Sequence, residues 1–377
     1  MKIVLVIKKF SPYGGVENFC YQFFSHLKAR GCPVEVICGE NLSEETGPEI
    51  KPLGLVRPGR FLKLFGFWLR TRRVFKSLDD RCVTFAFTPV PGCDIVRSGG
   101  SHLDFLLTTI AAQPGLWARI GKSVRRALAP INYLQYVLDG RTYSRSASSK
   151  YIAISSNVHD ELLRRYDLRK DRIELIPNGV DTSRFNPAIR QEKRESARKQ
   201  LGFSPQHQVL GFCSTNFELK GLGYLVKALP RLAPRTILVV AGRRNPEAYQ
   251  RLARKLGVKD RIIFLGRVAD MQGFYAALDA LIHPSFYDTF GNVVAESLAM
   301  GVPVLTTSRV GASDLITVGV NGYLVDPKKT PEFAETIQNT LLLGINDYRS
   351  SVADTAEVFE KYYQIAQAVF LTKTGSR

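Results

Sequence analysis

The stretch HPSFYDTFGNVVAESLAMGVPVLTT (283–307) holds the densest set of residues able to do chemistry. Its pattern predicts a strand, ALIHPS, then a loop ending at Gly291-Asn292, a helix carrying Glu296, and a second strand that starts at a proline after Gly301. Asp288 and Glu296 stand eight positions apart, so one carboxylate belongs in the loop at the helix entrance and the other one to two turns inside. A helix N-terminus between them offers backbone amides to a phosphate, while the carboxylates accept hydrogen bonds from hydroxyls on either side. A sugar, a pyrophosphate and a ribose in a row present those groups in that order.

Three further constellations join it. Lys220-Gly221 follows the strand VLGFCS and precedes the helix GLGYLVKAL. In KKFSPYGGVENF, Gly14-Gly15 after the first strand allows close backbone approach and presents free amides to an anion. No GxGxxG is present, which argues against a dinucleotide-binding oxidoreductase. In RSGGSHLDF (97–105), Ser101 is placed to cap a helix that carries His102 and Asp104. His159 and His207 read as structural, and His26 and His283 have no assigned role.

The elements that must position these residues repeat twice. KIVLVI (2–7) and VLGFCS (209–214) each lead into a glycine-containing loop and a helix. After them, β-branched runs alternate with helical patterns, as in parallel βαβ sheets. Strands are predicted near 34–38, 82–87, 93–97, 151–155 and 172–176, then near 236–241, 261–265, 280–283, 303–307 and 322–325. A helix at 246–257 stops at Gly257. The expected architecture is α/β, two doubly wound Rossmann-like domains, 1–185 and 208–355, facing a central crevice. The charged segment 186–207 reads as the hinge, and the helical pattern within 356–377 as packing back on the first domain.

Composition adds a surface argument. The 377 residues carry 52 Lys and Arg against 34 Asp and Glu, a net charge of +18, which favours an anionic partner. Residues 57–76 have seven cations and no acid, interleaved with aromatics. Arg60, Lys63, Phe65, Phe67, Trp68, Arg70, Arg72 and Arg73 are expected to face a membrane. In 114–145, Trp117, Ile120, Val124 and Leu128 at helical spacing lie beside Arg119, Lys122, Arg125 and Arg126. Helix-turn-helix, zinc-finger, RNP and KH signatures are missing, so no nucleic-acid partner is expected. Six scattered cysteines without CxxC or zinc-ligand spacing read as reduced thiols. The short apolar run at the start is no signal peptide, and no stretch is long enough to span a bilayer, so a cytoplasmic protein lying on the inner face of the cytoplasmic membrane is expected.

The motifs in order resemble the GT-B glycosyltransferases of family 4. Members carry E-x7-E where Asp288 and Glu296 stand, followed by a GxPV strand, here Gly301 to Val304. NGVDTSRFNP (178–187) is similar to the family's NGVD-x3-F-x-P segment, GGVENF (14–19) to its first glycine-rich loop, and Lys220-Gly221 to its KG element. The closest look is to lipopolysaccharide core glycosyltransferases of the core glucosyltransferase type, which share a basic membrane-interacting region in the first domain. The resemblance implies a hexosyltransferase acting with retention, without cofactor or metal, on a nucleotide diphosphate sugar, UDP-linked as first choice, and a lipid-linked saccharide. It implies catalytic roles for Lys220, Asp288 and His102, and donor contacts from Gly14, Gly15, Lys220, Asp288, Phe290, Gly291, Asn292 and Glu296. Two departures stand out: Asp288 is one methylene shorter than the family Glu, and Thr215 replaces an Arg, a role left to Arg243 or Arg267. The rivals are a nucleotide-sugar epimerase of the same architecture and a non-catalytic membrane-surface scaffold.

Overall fold

A computed structural model describes residues 1–54, 59–79, 81–113, 115–144, 150–348 and 351–375. It divides into two compact units, Met1–Pro177 with Ala356–Arg377, and Asn178–Thr355. In the first, β1 (Lys2–Phe10), β2 (Val34–Asn41), β3 (Ile50–Pro52), β4 (Cys82–Ala86), β5 (Ile95–Ser98), β6 (Lys150–Ala153) and β7 (Ile173–Leu175) form one sheet in the order β3-β2-β1-β4-β5-β6-β7. Its helices are α1 (Val16–Ala29), α2 (Arg60–Phe75), α3 (His102–Ala111), α4 (Leu116–Ala127), α5 (Pro130–Thr142) and α6 (Ser156–Arg165).

The second unit starts with α7 (Pro187–Gln200). Its strands β8 (Gln208–Cys213), β9 (Thr236–Ala241), β10 (Ile262–Gly266), β11 (Ala280–His283), β12 (Val304–Thr306) and β13 (Gly322–Leu324) are ordered β10-β9-β8-β11-β12-β13. Its helices are α8 (Leu222–Ala228), α9 (Glu247–Lys255), α10 (Met271–Ala277), α11 (Asn292–Ala299) and α12 (Thr330–Leu342); α13 (Thr355–Gly375) returns to the first unit. Each unit thus has the doubly wound order third-second-first-fourth-fifth-sixth, extended by a seventh strand in the first unit, and the strand pairs are parallel.

The apolar run of β1 is buried from Ile3 to Ile7, as a central parallel strand covered on both faces requires. The three-residue edge strand β3 falls below what sequence pattern detects. α13 places Val358, Phe359, Tyr362, Ile365 and Ala366 on one buried face. Phe359 meets Phe19 at 5.2 Å between ring centroids and Tyr362 meets Phe85 at 5.4 Å, so the last helix completes the first unit's aromatic core.

The segment 186–207, expected as the hinge, lies inside the second unit, whose boundary falls at Asn178, and most of it is α7. Asn186 caps α7 by accepting from the Ile189 amide at 3.0 Å, and proline follows at the first turn. Arg190, Arg194 and Arg198, spaced four apart, line one face. They donate to the carbonyls of Leu278 (3.1 Å, from Arg190), Ala276 (3.1 Å, from Arg194) and Ala277 (3.3 Å, from Arg198) at the end of α10. Asp279 accepts from Arg194 at 2.5 Å, from Arg198 at 3.2 Å and from the Val209 amide at 2.7 Å. Charge density that reads as a linker is instead an arginine ladder on the negative end of a helix. Asp279→Ala should therefore cost about 2–3 kcal/mol in urea unfolding, since it strips a charged acceptor from two guanidiniums and an amide; a loss within experimental error would reduce the ladder to surface decoration.

Candidate active site

In the second sheet the chain winds outward in opposite directions from β8 and β11, and the loops leaving the carboxyl ends of these neighbours diverge. A switch point of this kind opens a cleft above the sheet. The loop after β8 ends in Lys220 and the loop after β11 carries Asp288. Lys220 Nζ lies 2.5 Å from Asp288 Oδ2 and donates to the Tyr287 carbonyl at 2.9 Å. His283 Nε2 reaches the same Oδ2 at 3.1 Å. Asp288 Oδ1 faces no protein partner among the described residues.

Two glycines make the approach possible. Gly221 has φ +80°, and a Cβ there would stand 2.3 Å from the Pro284 carbonyl oxygen, so the β8 and β11 loops meet backbone to backbone. Gly291, at φ +91°, precedes α11, and a Cβ would lie 2.8 Å from Val310 Cγ1. Gly291 has no side chain to cap α11; the Val294 amide turns back to the Gly291 carbonyl at 2.9 Å, and the Asn292 and Val293 amides ahead of it have no side-chain cap. The Asp288 loop is stitched in place by Asp288 N to Arg309 O (3.2 Å) and Gly311 N to Asp288 O (2.9 Å).

The electrostatics are set by burial. For Asp288, burial would raise the carboxyl's proton affinity, but the Lys220 charge and the His283 hydrogen bond outweigh it and hold the group well below the usual carboxylate range. Burial lowers the affinity of Lys220 for its proton, and the Asp288 carboxylate offsets part of that. His283, 1% exposed, is kept neutral by burial, and its Nδ1 is buried without a partner. Glu296 accepts from Tyr275 OH at 2.7 Å. Burial pushes its carboxyl up to about 7, against the pull of Tyr275 and Arg184. Its charge also reaches Cys213, so it belongs to the same end of β8.

The structure thus brings Lys220, Asp288, Gly291 and Glu296 to one edge of the second sheet. Asn292 opens α11, exposed, its Oδ1 accepting from Asn178 Nδ2 at 3.0 Å. Phe290, expected among the donor contacts, has its ring in the core at 3% exposure. Thr215 and Arg243 are exposed beyond β8 and β9, and Arg267 beyond β10. Sequence reasoning missed His283, for which the only signal was its place five residues before Asp288 at a strand end.

The remaining candidates lie in the first unit. Gly14 and Gly15 are exposed ahead of α1, with the Glu17 carboxylate folded over Gly14. His102 starts α3, capped by Ser101; its Nε2 meets Asn132 Oδ1 at 3.1 Å, and its amide donates to Asp139 at 3.1 Å. Burial lowers its proton affinity, and the charges of Arg126 and Arg60 add to this. Asp104 is held by Arg165 (2.7 Å) and Arg164 (3.3 Å).

The expected membrane face of α2 needs two corrections. Phe67, 1% exposed, is core, and Arg70 is bound to the Leu53 and Gly54 carbonyls. Lys63 pairs with Glu40 at 3.4 Å, Phe65 packs on Trp68 with centroids 5.7 Å apart, and Arg141 lies over Trp68 at 5.9 Å. Arg60, Arg72 and Arg73 are exposed, and Arg57 lies outside the described residues.

The Glu296 shift has a measurable sign. Its folded value near 7 exceeds the ordinary 4.5, so the native state holds a proton the unfolded chain releases, and stability falls as pH rises from about 4.5 through 7. Glu296→Gln should flatten that fall and leave the variant more stable than the parent at pH 8, by up to about 3 kcal/mol. Parallel stability–pH curves in urea would contradict the assigned burial.

Comparison with known proteins follows this geometry. Residues 13–184 match the model described as Glycosyltransferase Family 4, and residues 207–342 the model described as Glycosyl transferases group 1. The lipopolysaccharide glucosyltransferase WaaG of Escherichia coli is 23% identical over 350 residues, 90% of each chain. An uncharacterized glycosyltransferase of Methanocaldococcus jannaschii is 29% identical over 221 residues, 57% of this chain and 56% of that protein. The chain thus spans little more than half the length of some curated relatives. The crystal structure of WaaG, a glycosyltransferase involved in lipopolysaccharide biosynthesis, superposes with TM-score 0.76 at 21% identity, covering 99% of this chain and 100% of that one. Anabaena HepE in complex with UDP and glucose gives TM-score 0.69 at 20% identity, with 98% and 100% covered. With both units matched by glycosyltransferase models and both sheets in the order this fold requires, the chain belongs to glycosyltransferase family 4, of GT-B fold.

Proposed function

We propose that the protein transfers a hexose, glucose as first choice, from a UDP-sugar to a lipid-linked saccharide such as the lipopolysaccharide core, with retention at the anomeric carbon. The observation that carries this is the Lys220–Asp288 pair at the β8–β11 switch point, beside the uncapped start of α11. Lys220 has three N–H bonds and spends two on Asp288 and Tyr287, leaving one for a donor phosphate. Asp288 Oδ1 and Glu296 are then available to sugar and ribose hydroxyls. The UDP and glucose bound in HepE and the lipopolysaccharide biosynthesis in which WaaG is involved support the assignment of substrates.

In the reaction the anomeric C–O bond to the diphosphate breaks while the acceptor oxygen bonds the same carbon on the same face. The acceptor proton passes to the departing phosphate oxygen. Negative charge grows on that phosphate, and Lys220 with the α11 amides stabilises it in place of a divalent cation. His102 on the first unit is assigned to the sugar.

The acceptor's lipid would be met at a membrane surface. No described helix is long and apolar enough to cross a membrane. α4 instead buries no residue: Leu116, Trp117, Ile120, Val124 and Leu128 are 43–81% exposed, flanked by Arg119, Lys122, Arg125 and Arg126. An apolar stripe edged by cations suits the headgroup layer of anionic lipid, here the inner face of the cytoplasmic membrane.

Calorimetry with UDP-glucose should show binding that Glu296→Ala weakens by about 1.5–3 kcal/mol. Lys220→Ala should lower kcat on the order of 10²–10³-fold, more than it raises the donor KM. No heat with any UDP-sugar would end the donor assignment. In sedimentation, the protein should bind anionic vesicles far better than neutral ones, with each cation contributing about 1 kcal/mol. Trp117→Glu with Val124→Glu should release it while turnover on a soluble acceptor persists; equal binding to both vesicle types would refute the electrostatic part.

A further inference from the structure

We propose that the carboxyl edge of the first sheet carries an anion-recognition site for the acceptor, formed by Lys8, Lys9, Arg60 and Lys63 and suited to a phosphate or carboxylate on the saccharide. This rests on the reading of the protein as a glycosyltransferase and names a chemical class for its acceptor. In this sheet the switch point lies between β1 and β4. Lys8 stands there, its amide donating to Thr88 Oγ1, just past β4, at 3.1 Å. Lys9 is in register with Glu40 on β2, and Lys63 Nζ is 3.4 Å from Glu40 Oε1. Arg60 is the first residue of α2, one turn before Lys63.

The charges do not balance. Glu40 is the carboxylate set against these four cations, and it is engaged by Lys63. Lys8, Lys9 and Arg60 have no ion pair among the described residues. Arg60 and Lys63 also sit in the first turn of a helix with no acid and no side-chain cap, where the dipole opposes a cation. Lys8 is half-buried; burial lowers its proton affinity, and the charges of Arg60, Lys9 and Lys63 lower it further. Self-repulsion of this kind is relieved by an anion.

Two observations favour the acceptor over other anions. The charge of Arg60 is felt by His102 as well as by Lys8, so the cluster neighbours the histidine assigned to the sugar. The donor's phosphates have their own cation and helix amides in the second unit. A lipid surface is the poorer fit, because a half-buried lysine at a sheet edge is out of reach of a flat headgroup layer that α4 can meet with exposed side chains.

The test uses the full chain, saturated with UDP, and follows melting temperature. At matched ionic strength, inorganic phosphate should raise the wild-type midpoint above that in chloride, and the increase should vanish in Lys8→Gln/Arg60→Gln. Arg60→Gln alone, at an exposed position, should show a reduced increase and guards against a folding defect in the double variant. A hexose 6-phosphate and a hexuronate, but not the neutral hexose, should reproduce the effect. With the anionic acceptor, the double variant should raise the acceptor KM about tenfold or more, the worth of a charge-assisted hydrogen bond, and leave the UDP-glucose heat unchanged. An unaltered phosphate response in the variants overturns the site. Protection by inorganic phosphate without protection by the anionic sugars overturns the acceptor assignment. Loss of UDP-glucose binding in the wild type would instead strike the donor reading, and the comparison of phosphate with chloride would still decide the cluster.

Discussion

One carboxylate oxygen, Asp288 Oδ2, is approached by both Lys220 and His283 in a half-buried site. Burying an acid is unfavourable unless donors surround it, and here an ammonium and an imidazole N–H do so. The ion pair fixes the loop after β8 against the loop after β11, and so sets the cleft in which the proposed donor would lie. It also leaves a defined remainder: one lysine proton and one carboxylate oxygen. The shorter aspartate at this place is compatible with the arrangement because His283 and Lys220 come to it, not the reverse.

The rest of the second unit serves that contact. Gly221 lets one backbone lie on the other, Gly291 turns the chain into α11 without covering its amides, and the 309–312 strap holds the Asp288 loop from behind. Glu296 differs in kind. Tyr275 is its hydrogen-bond partner, and its raised proton affinity means that a ligand hydroxyl meets a group poised between acid and anion near neutrality.

Much of this was legible in the sequence, for reasons that can be named. Parallel strands buried on both faces leave unbroken β-branched runs, so β1, β2, β8 and β9 announce themselves, while three-residue β3 does not. The places of Asp288 and Glu296 follow from strand–loop–helix spacing, and Lys220 was singled out by the resemblance of Lys220-Gly221 to the family's KG element. Side-chain direction was not legible: Phe67 and Phe290 stand beside half-buried residues, and only three-dimensional packing shows that their rings point inward. The arginines of α7 failed differently, since their partners are carbonyls at a distant helix end that leave no trace in residue type. His283 escaped notice because a buried histidine and a reactive one look alike as letters.

The path of the chain has a consequence for biosynthesis. The second unit is inserted between Pro177 and Ala356, and the aromatic core of the first waits for Phe359 and Tyr362 on α13. On the ribosome, where units fold as their residues emerge, the usual order is therefore inverted: the second unit is whole before the first can close. A chain stopped before α13 would leave Phe19, Phe23 and Phe85 bare, and quality control would see an incomplete first unit attached to a finished second one.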